Sequence, residues 1–351
     1  MNIDDIDTPA ILIDLDVVEA NLSRAQSYAN DHGIALRPHV KTHRLPLFAK
    51  RQVELGAQGI NCQKLGEAEV MADAGLTDIL VTFNIIGAAK LDRLAALHSR
   101  IQIAVVADNV PVIDGYAARF TDPDHPLDVM VECDTGAERN GVQSGEQALD
   151  LARRITAAPG LRFAGLLTYP PSNPKATGAW LAQAKQIIEA DGIAVPKLSS
   201  GGSPTLYSAH ESGGIDEHRA GTYIYSDRMQ VAAGLGTLAD CALSVLLTVV
   251  SRPTDTRATL DGGSKALAAD VCAAPGHGHI IEYPDAILTK LSEEHAVVDV
   301  SACDSKPMIG ARVRVIPNHV CVVVNLFDKV HLMRGDTVEQ VLDVAARGKS
   351  N

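Results

Sequence analysis

Short apolar runs and longer amphipathic stretches alternate over the first two thirds of the chain. The runs "IALRPHV", "GINCQ", "DILVTFN", "QIAVVAD", "LDVMVECD", "RFAGLLTY", "KLSSGG" and "AGTYIY" predict buried strands. The stretches "DVVEANLSRAQSYANDHG", "LPLFAKRQVELGA", "KLGEAEVMADAG", "AAKLDRLAALH", "GEQALDLARRITAAPG" and "TGAWLAQAKQIIEADG" predict helices, several of them stopped by glycine. Repeated strand–helix alternation calls for a parallel sheet. Eight units over roughly 200 residues match the dimension of a (β/α)8 TIM-type barrel. An open doubly wound sheet is the alternative, weakened because no GxGxxG follows an early strand. After about Asp240 the texture changes to Val-, Leu- and Thr-rich runs with closely spaced turn signals, as in "CALSVLLTVVSRP" and "ARVRVIPNHVCVVVNLFD". This predicts a mostly β second domain, which the strand-like "PAILIDLD" joins from the N-terminus. The expected division is a barrel over 17–240 and a β domain made of 1–16 plus 241–351.

Composition narrows the function. The chain has 351 residues, 46% of them hydrophobic, with a formal net charge of -12. An acidic chain without a lysine or arginine cluster argues against nucleic acid as a partner. No apolar run reaches membrane-spanning length, so no membrane role is expected. The start "MNIDDIDTPA" has neither a basic segment nor an apolar one behind it, so a cytoplasmic location is expected. The six cysteines form no CxxC pair and read as reduced thiols.

In a barrel the chemistry sits at the C-terminal ends of the strands. "RPHVKTHR" puts Lys41 at the end of the first one. A lysine alone is most often a solvated charge. At a barrel mouth, after an apolar run, it is also a candidate nucleophile toward a carbonyl. His39 and His43 bracket it and would share its face in a strand; neither gains a role. The seventh strand ends in "LSSGGSPT", with Ser200, Gly201, Gly202, Ser203 and Thr205, and the eighth contains "AGTYIYSD", with Gly221, Thr222 and Tyr223. Each reads equally well as an ordinary flexible loop, but two adjacent glycine–hydroxyl loops after strands seven and eight favour phosphate binding. A lysine facing a phosphate cradle suggests pyridoxal 5'-phosphate (PLP) held as a Schiff base. A sugar-phosphate aldolase would share both features. In "PNHVC", His319 and Cys321 would point to one face of a strand, and imidazole with thiolate suits zinc. The commoner case for such a pair is a core histidine beside a small apolar cysteine. His277, His279 and His295 are less informative, and Arg139 in "DTGAERNG" either faces a cofactor or caps a helix.

Taken together these stretches resemble the D-threonine aldolase and D-serine dehydratase family, fold-type III PLP enzymes related to the alanine racemase N-terminal barrel. The resemblance covers nearly the whole chain, from "DTPAILIDLDVVEANL" through "LRPHVKTH", "NCQKLGEAEV", "LSSGGSPT", "AGTYIYSD", "LDGGSKAL" and "EEHAVVDV" to "PNHVC". It implies that Lys41 carries the cofactor and that the Gly201–Thr205 loop and Gly221–Tyr223 hold its phosphate, with Ser200 also among the cofactor-binding residues. It places Arg139 near the pyridine ring, with Gln63 and Tyr169 lining the pocket. It makes His319 and Cys321 ligands of a divalent metal beside the cofactor, zinc or manganese, with magnesium a further option, and sets His319 with Lys41 among the catalytic residues. It implies a homodimer and a small D-amino acid substrate. Two features depart from the family pattern. "TYPPSNP" stands where members often carry a histidine after the sixth-strand tyrosine. The second metal position is aspartate in the aldolases and cysteine in the dehydratases, so Cys321 points to the latter while "CQKLGEAEV" and "NLFD" point to the former. The expected activity is aldolase cleavage of D-β-hydroxy-α-amino acids. The alternative is a dehydratase of D-serine or 3-hydroxyaspartate type, and a racemase or a non-catalytic PLP carrier ranks lower.

Overall fold

A computed structural model describes residues 2–170 and 172–351. Strand β1 (Ala10–Asp14) and helix α1 (Leu15–Asp31) come first. Eight parallel strands follow: β2 (Ala35–Leu36), β3 (Ile60–Cys62), β4 (Asp78–Val81), β5 (Gln102–Ala107), β6 (Leu127–Cys133), β7 (Leu161–Thr168), β8 (Leu198–Ser200) and β9 (Glu217–His218). Helices α2 (Pro46–Glu54), α3 (Leu65–Asp73), α4 (Ala88–His98), α5 (Val110–Arg119), α6 (Gly145–Ala157) and α7 (Pro174–Ala190) alternate with β2 to β7. Local chemistry sets their starts. Asn109, Ser144 and Asn173 each accept a backbone N–H of the first turn, and α2, α5 and α7 carry proline there, where no N–H is needed.

The strand order β2-β9-β8-β7-β6-β5-β4-β3 closes through a parallel bridge between His39 and Asn61. Val40 N donates to Asn61 O at 2.9 Å and Asn61 N to Pro38 O at 2.8 Å. The result is a TIM-type barrel. Leu80, Val106, Met130 and Leu167, from β4 to β7, form one of its apolar clusters.

The eighth strand is Glu217–His218, not the expected "AGTYIY", in which Thr222–Ile224 forms a 3-10 turn. Glu217 looks too polar for a buried strand. It is fully buried because Arg37 Nε meets its carboxylate at 2.7 Å, and Arg37 NH1 meets Asp78 at 2.7 Å. Burial alone would raise the Glu217 carboxyl, but Arg37 and Lys197 outweigh it and hold it below the usual range.

The chain divides into two compact units. The barrel unit holds Arg24–Lys41, Leu45–Gly221 and 349–351. The other holds 2–23, Thr42–Arg44 and Thr222–Gly348, so its limits differ from the expected 16/17 and 240/241. Asn21 explains part of the difference: its amide donates to Ile224 O at 3.2 Å and Asp240 O at 2.8 Å. Arg44, at φ 56°, explains the short excursion, since its guanidinium donates to Asn325 Oδ1 at 2.7 Å and Ala346 O at 2.9 Å.

This second unit contains α8 (Arg228–Ala232), β10 (Leu243–Thr254), β11 (Arg257–Leu260), α9 (Ser264–Leu267), β12 (Gly278–Ile280), β13 (Ile287–Leu291), β14 (Ala296–Asp299), β15 (Arg312–Pro317), α10 (Val320–Leu326), β16 (Lys329–Arg334) and β17 (Thr337–Asp343). Its sheet runs β13-β14-β11-β10-β1-β16-β17, with β15 joining β10 and β12. Strand β1 pairs antiparallel with β10 and parallel with β16. Ala10, Leu12, Leu246, Met333 and Val338 pack together beside Ile6. Among the described residues no helix is long and apolar enough to cross a membrane.

The Arg37–Glu217 pair gives a stability test. Arg37→Met strands a buried carboxylate and is expected to lower the unfolding free energy by about 3–5 kcal/mol in urea denaturation. The depressed Glu217 carboxyl contributes stability above the ordinary glutamate range and loses it as pH falls through its lower folded value. The deficit of the variant should therefore shrink on acidification, and an unchanged midpoint at neutral pH would remove this pair from the account of barrel closure.

Candidate active site

Lys41 lies half-buried in the turn that follows the His39 bridge. Strand pairing ends at His39, so strand alternation does not put His39, Lys41 and His43 on one face; His43 falls in the second unit. His39 instead fixes the turn. Lys41 N–H donates to its Nδ1 at 3.3 Å, which leaves the ring proton on Nε2, 3.1 Å from Gln63 Oε1. Gln63 Nε2 donates to Thr82 O at 2.9 Å, and Gln63 N to the buried Glu67 carboxylate at 2.7 Å. The backbone before the Lys41 side chain is thus tied to the ends of β3 and β4.

Lys41, Gln63 and Arg139 line one cavity of about 550 Å³ together with Thr82, Phe83, Asn84 and Asn140. All come from segments after the C-terminal ends of strands, where a barrel places its chemistry. Arg139 lies 4.7 Å above the Tyr169 ring, and its Nε donates to Asn140 Oδ1 at 2.9 Å. Tyr169 and Pro170 follow β7, while Pro171 of "TYPPSNP" lies outside the described residues.

The Tyr169 ring also borders the glycine loop after β8. A Cβ on Gly202 would lie 2.9 Å from Tyr169 Cε2. Gly201 has φ 148°, and a Cβ there would collide with the Arg219 backbone. Ser203 Oγ accepts from Gly221 N at 3.2 Å, so the loops after β8 and β9 meet. Ser200 is buried at the end of β8 and Thr205 lies buried in the 3-10 turn Ser203–Ser212. Two Cβ-free residues, a serine hydroxyl and a lysine on the same rim fit PLP, with its phosphate at the glycines.

The barrel also buries charges that a hydrophobicity pattern does not flag. Arg219 is buried; its guanidinium donates to Ser199 Oγ, to Ser200 O at 3.3 Å and to Thr168 O at 2.7 Å. Burial lowers it to about 10, against the opposing pull of Glu217 and Glu132. Glu132, in β6, is buried as well, and burial pushes its carboxyl up to about 7. The available signal was a charge set between apolar residues, as Glu132 is in "LDVMVECD".

Thr222, Tyr223, His319 and Cys321 belong to the second unit. "PNHVC" is not a strand: β15 ends at Pro317, His319 is the extended N-cap of α10, and Cys321 lies in its first turn. The cap geometry still brings the imidazole and thiol into hydrogen-bond contact. Asp227, fully buried, accepts from His319 Nδ1 at 2.9 Å and from Val320 N at 3.2 Å, and caps α8 through Gln230 N at 2.9 Å. Burial would lower His319, yet its bonds to Asp227 and Cys321 push it up to about 10. Cys321 Sγ also lies 3.1 Å from Thr42 Oγ1 and 3.7 Å from Thr222 Oγ1. Among the described residues no cluster of three His, Cys, Asp or Glu forms a metal shell. A histidine oriented through Nδ1 by a carboxylate, beside a thiol, nevertheless fits a two-ligand open site with Nε2 and Sγ as donors. Asp227 escaped the sequence reading because its role depends on a partner 92 residues away. His277, His279 and His295 acquire no part in either arrangement.

Known proteins agree with this architecture. The alanine racemase N-terminal domain matches residues 13–229, and a putative serine dehydratase domain matches 242–333. A D-threonine aldolase of an Arthrobacter species is 35% identical over 98% of this chain and 94% of its own length. D-threo-3-hydroxyaspartate dehydratase of Delftia sp. strain HT23 is 32% identical over 90% and 91%. The crystal structure of D-threonine aldolase from Filomicrobium marinum covers 98% of this chain and 96% of its own at 31% identity, with a TM-score of 0.88. With a barrel model covering well over half of the chain and full-length relatives above 30% identity, the chain belongs to the D-threonine aldolase and D-serine dehydratase family, built on the alanine racemase N-terminal barrel.

Proposed function

We propose that the chain is a PLP- and divalent-metal-dependent lyase that cleaves D-β-hydroxy-α-amino acids to glycine and an aldehyde, as a D-threonine aldolase does. What carries the reading is Lys41 in one barrel-mouth cavity with Gln63 and Arg139, in a chain 35% identical to a D-threonine aldolase over 98% of its length. Lys41 Nζ anchors the cofactor, and the Gly201–Ser203 and Gly221 backbone with the Ser203 hydroxyl receives its phosphate. His39 holds the Lys41 backbone by accepting its N–H, and Arg139 and Tyr169 would be the side chains available to the cofactor ring. Bound PLP supplies an electron sink for the charge left at Cα when a bond there breaks. His319 Nε2 and Cys321 Sγ hold the cation, and Asp227 keeps the imidazole in the tautomer that ligates. A bound cation would supply Lewis acidity toward a hydroxyl oxygen.

A dehydratase is the second reading, favoured by the thiol of Cys321 and by the serine dehydratase match over 242–333. There Lys41 Nζ would take the α-proton, the β-hydroxyl would leave as water, and addition of water to the imine that remains would give a keto acid and ammonia.

Incubation of the holoenzyme with D-threonine, PLP and Mn²⁺, followed by product analysis, separates the two. Glycine without 2-oxobutanoate is expected; 2-oxobutanoate without glycine would replace the aldolase reading with the dehydratase one. Lys41→Ala is expected to lower turnover at least about a thousandfold. Borohydride should fix the cofactor on Lys41 in the parent protein and not in the variant, and a variant that stays active would end the proposal.

The cation site has its own test. EDTA is expected to abolish turnover and Mn²⁺ to restore it. Asp227→Asn should weaken Mn²⁺ binding about 10–100-fold, by loss of the imidazole's orienting carboxylate. Turnover indifferent to EDTA would remove the metal from the mechanism.

A further inference from the structure

Glu132 is the buried acid that the mechanism above leaves without a task. It is 3% exposed, and its Oε2 has no hydrogen-bond partner. A buried polar atom left unsatisfied costs about 1–3 kcal/mol, and native proteins rarely tolerate one without reason. Arg219 does not satisfy it, since that guanidinium is committed to Ser199, Ser200 and Thr168. Arg139 comes near: its NH2 is 4.0 Å from Glu132 Oε1, beyond hydrogen-bond reach. The side chain of Asn140 stands between them, accepting from Arg139 Nε and bonding toward the Glu132 carboxyl.

The loop that carries Arg139 is pinned at both ends. Asp134 Oδ1 accepts from Gly136 N and Ala137 N at 2.9 Å and from Glu138 N at 3.2 Å. Asp108 Oδ2 accepts from Gly141 N at 2.9 Å. The Arg139 side chain is 55% exposed, rests on Tyr169 and is tied by its Nε to Asn140 Oδ1, with the rest of its guanidinium facing the cavity side. A change of rotamer, with no movement of backbone, can close the gap to Glu132.

We propose that Glu132 is a positioning residue: its open oxygen receives the Arg139 guanidinium when the cavity is filled and holds it turned toward the cofactor. The inference rests on the PLP reading above. The charged and titratable groups around Glu132 are Arg139 from the loop after β6, Arg219 from the segment after β9, Asp108 just after β5 and the neighbouring Cys133 thiol. Arg139 and Arg219 favour the carboxylate, while burial and Asp108 oppose it, so seating Arg139 tips the balance toward the charged form. A charge-assisted pair then forms at the buried carboxylate.

The test compares Glu132→Gln, Arg139→Ala and the double variant in PLP titrations of the apoprotein followed by the cofactor's visible absorption across pH. Glu132→Gln is expected to weaken PLP binding about tenfold, the scale of one charge-assisted hydrogen bond, and to shift the pH dependence of the absorption. Glu132→Asp should recover part of the affinity and serves in its place where the amide variant does not fold. The double variant should bind no more weakly than Arg139→Ala alone, because Glu132 acts through Arg139. Additive losses would overturn the inference. So would a Glu132→Gln protein that is less stable but binds PLP as the parent does, since Glu132 would then be only a counter-charge for Arg219. A parent protein that binds no PLP would instead overturn the functional reading, and this inference with it.

Discussion

The barrel depends on one guanidinium. Strands β2 and β9 are two residues long, too short for their ladder bonds alone to hold a closed ring. Arg37, the residue after β2, binds Glu217 on β9 and Asp78 on β4, and reaches Ile60 O on β3 at 3.4 Å. One side chain thus spans the seam where the ring closes. A buried ion pair is not a stabilising device in general, because desolvation offsets much of the attraction. Here it selects a register: only one pairing of these short strands brings the three charges together. Lys41 follows four residues later, so the seam also fixes where the Lys41 turn begins.

Charge continues up the barrel. Glu217 accepts from Ser199 Oγ at 2.7 Å, Ser199 receives Arg219, and Arg219 feels Glu132. Signs alternate from Asp78 and Arg37 through Glu217, Arg219 and Glu132 to Arg139. Each buried charge has an opposite neighbour, which is how an interior of low dielectric keeps ionised groups. The open oxygen of Glu132 is the exception, and it lies next to the exposed end of this series, where a ligand would arrive.

The second unit solves a different problem. The chain leaves the barrel unit at two peptide bonds, Lys41–Thr42 and Gly221–Thr222. Both threonine hydroxyls lie near Cys321 Sγ within the second unit, alongside the His319 imidazole. Asp227 combines two duties there, capping α8 and orienting His319. Secondary structure and site geometry are therefore set by the same buried carboxylate, so the imidazole is preorganised by folding.

Much of this was legible beforehand. Apolar periodicity located the strand–helix units, because the burial of one face imposes its period on the residues locally. Glycine and hydroxyl clusters located the loops after β8, and a lysine behind an apolar run located the barrel mouth. The sequence by itself determined the barrel class, the β-rich second half and the residues Lys41, Gly201, Gly202, His319 and Cys321 as candidates. Only the tertiary structure decided that Glu217 forms the eighth strand, that His319 is a helix cap and that Glu132 is buried with an open oxygen. The reason is physical: a charged residue is buried or exposed according to its partner, and Arg37 and Glu217 are 180 residues apart.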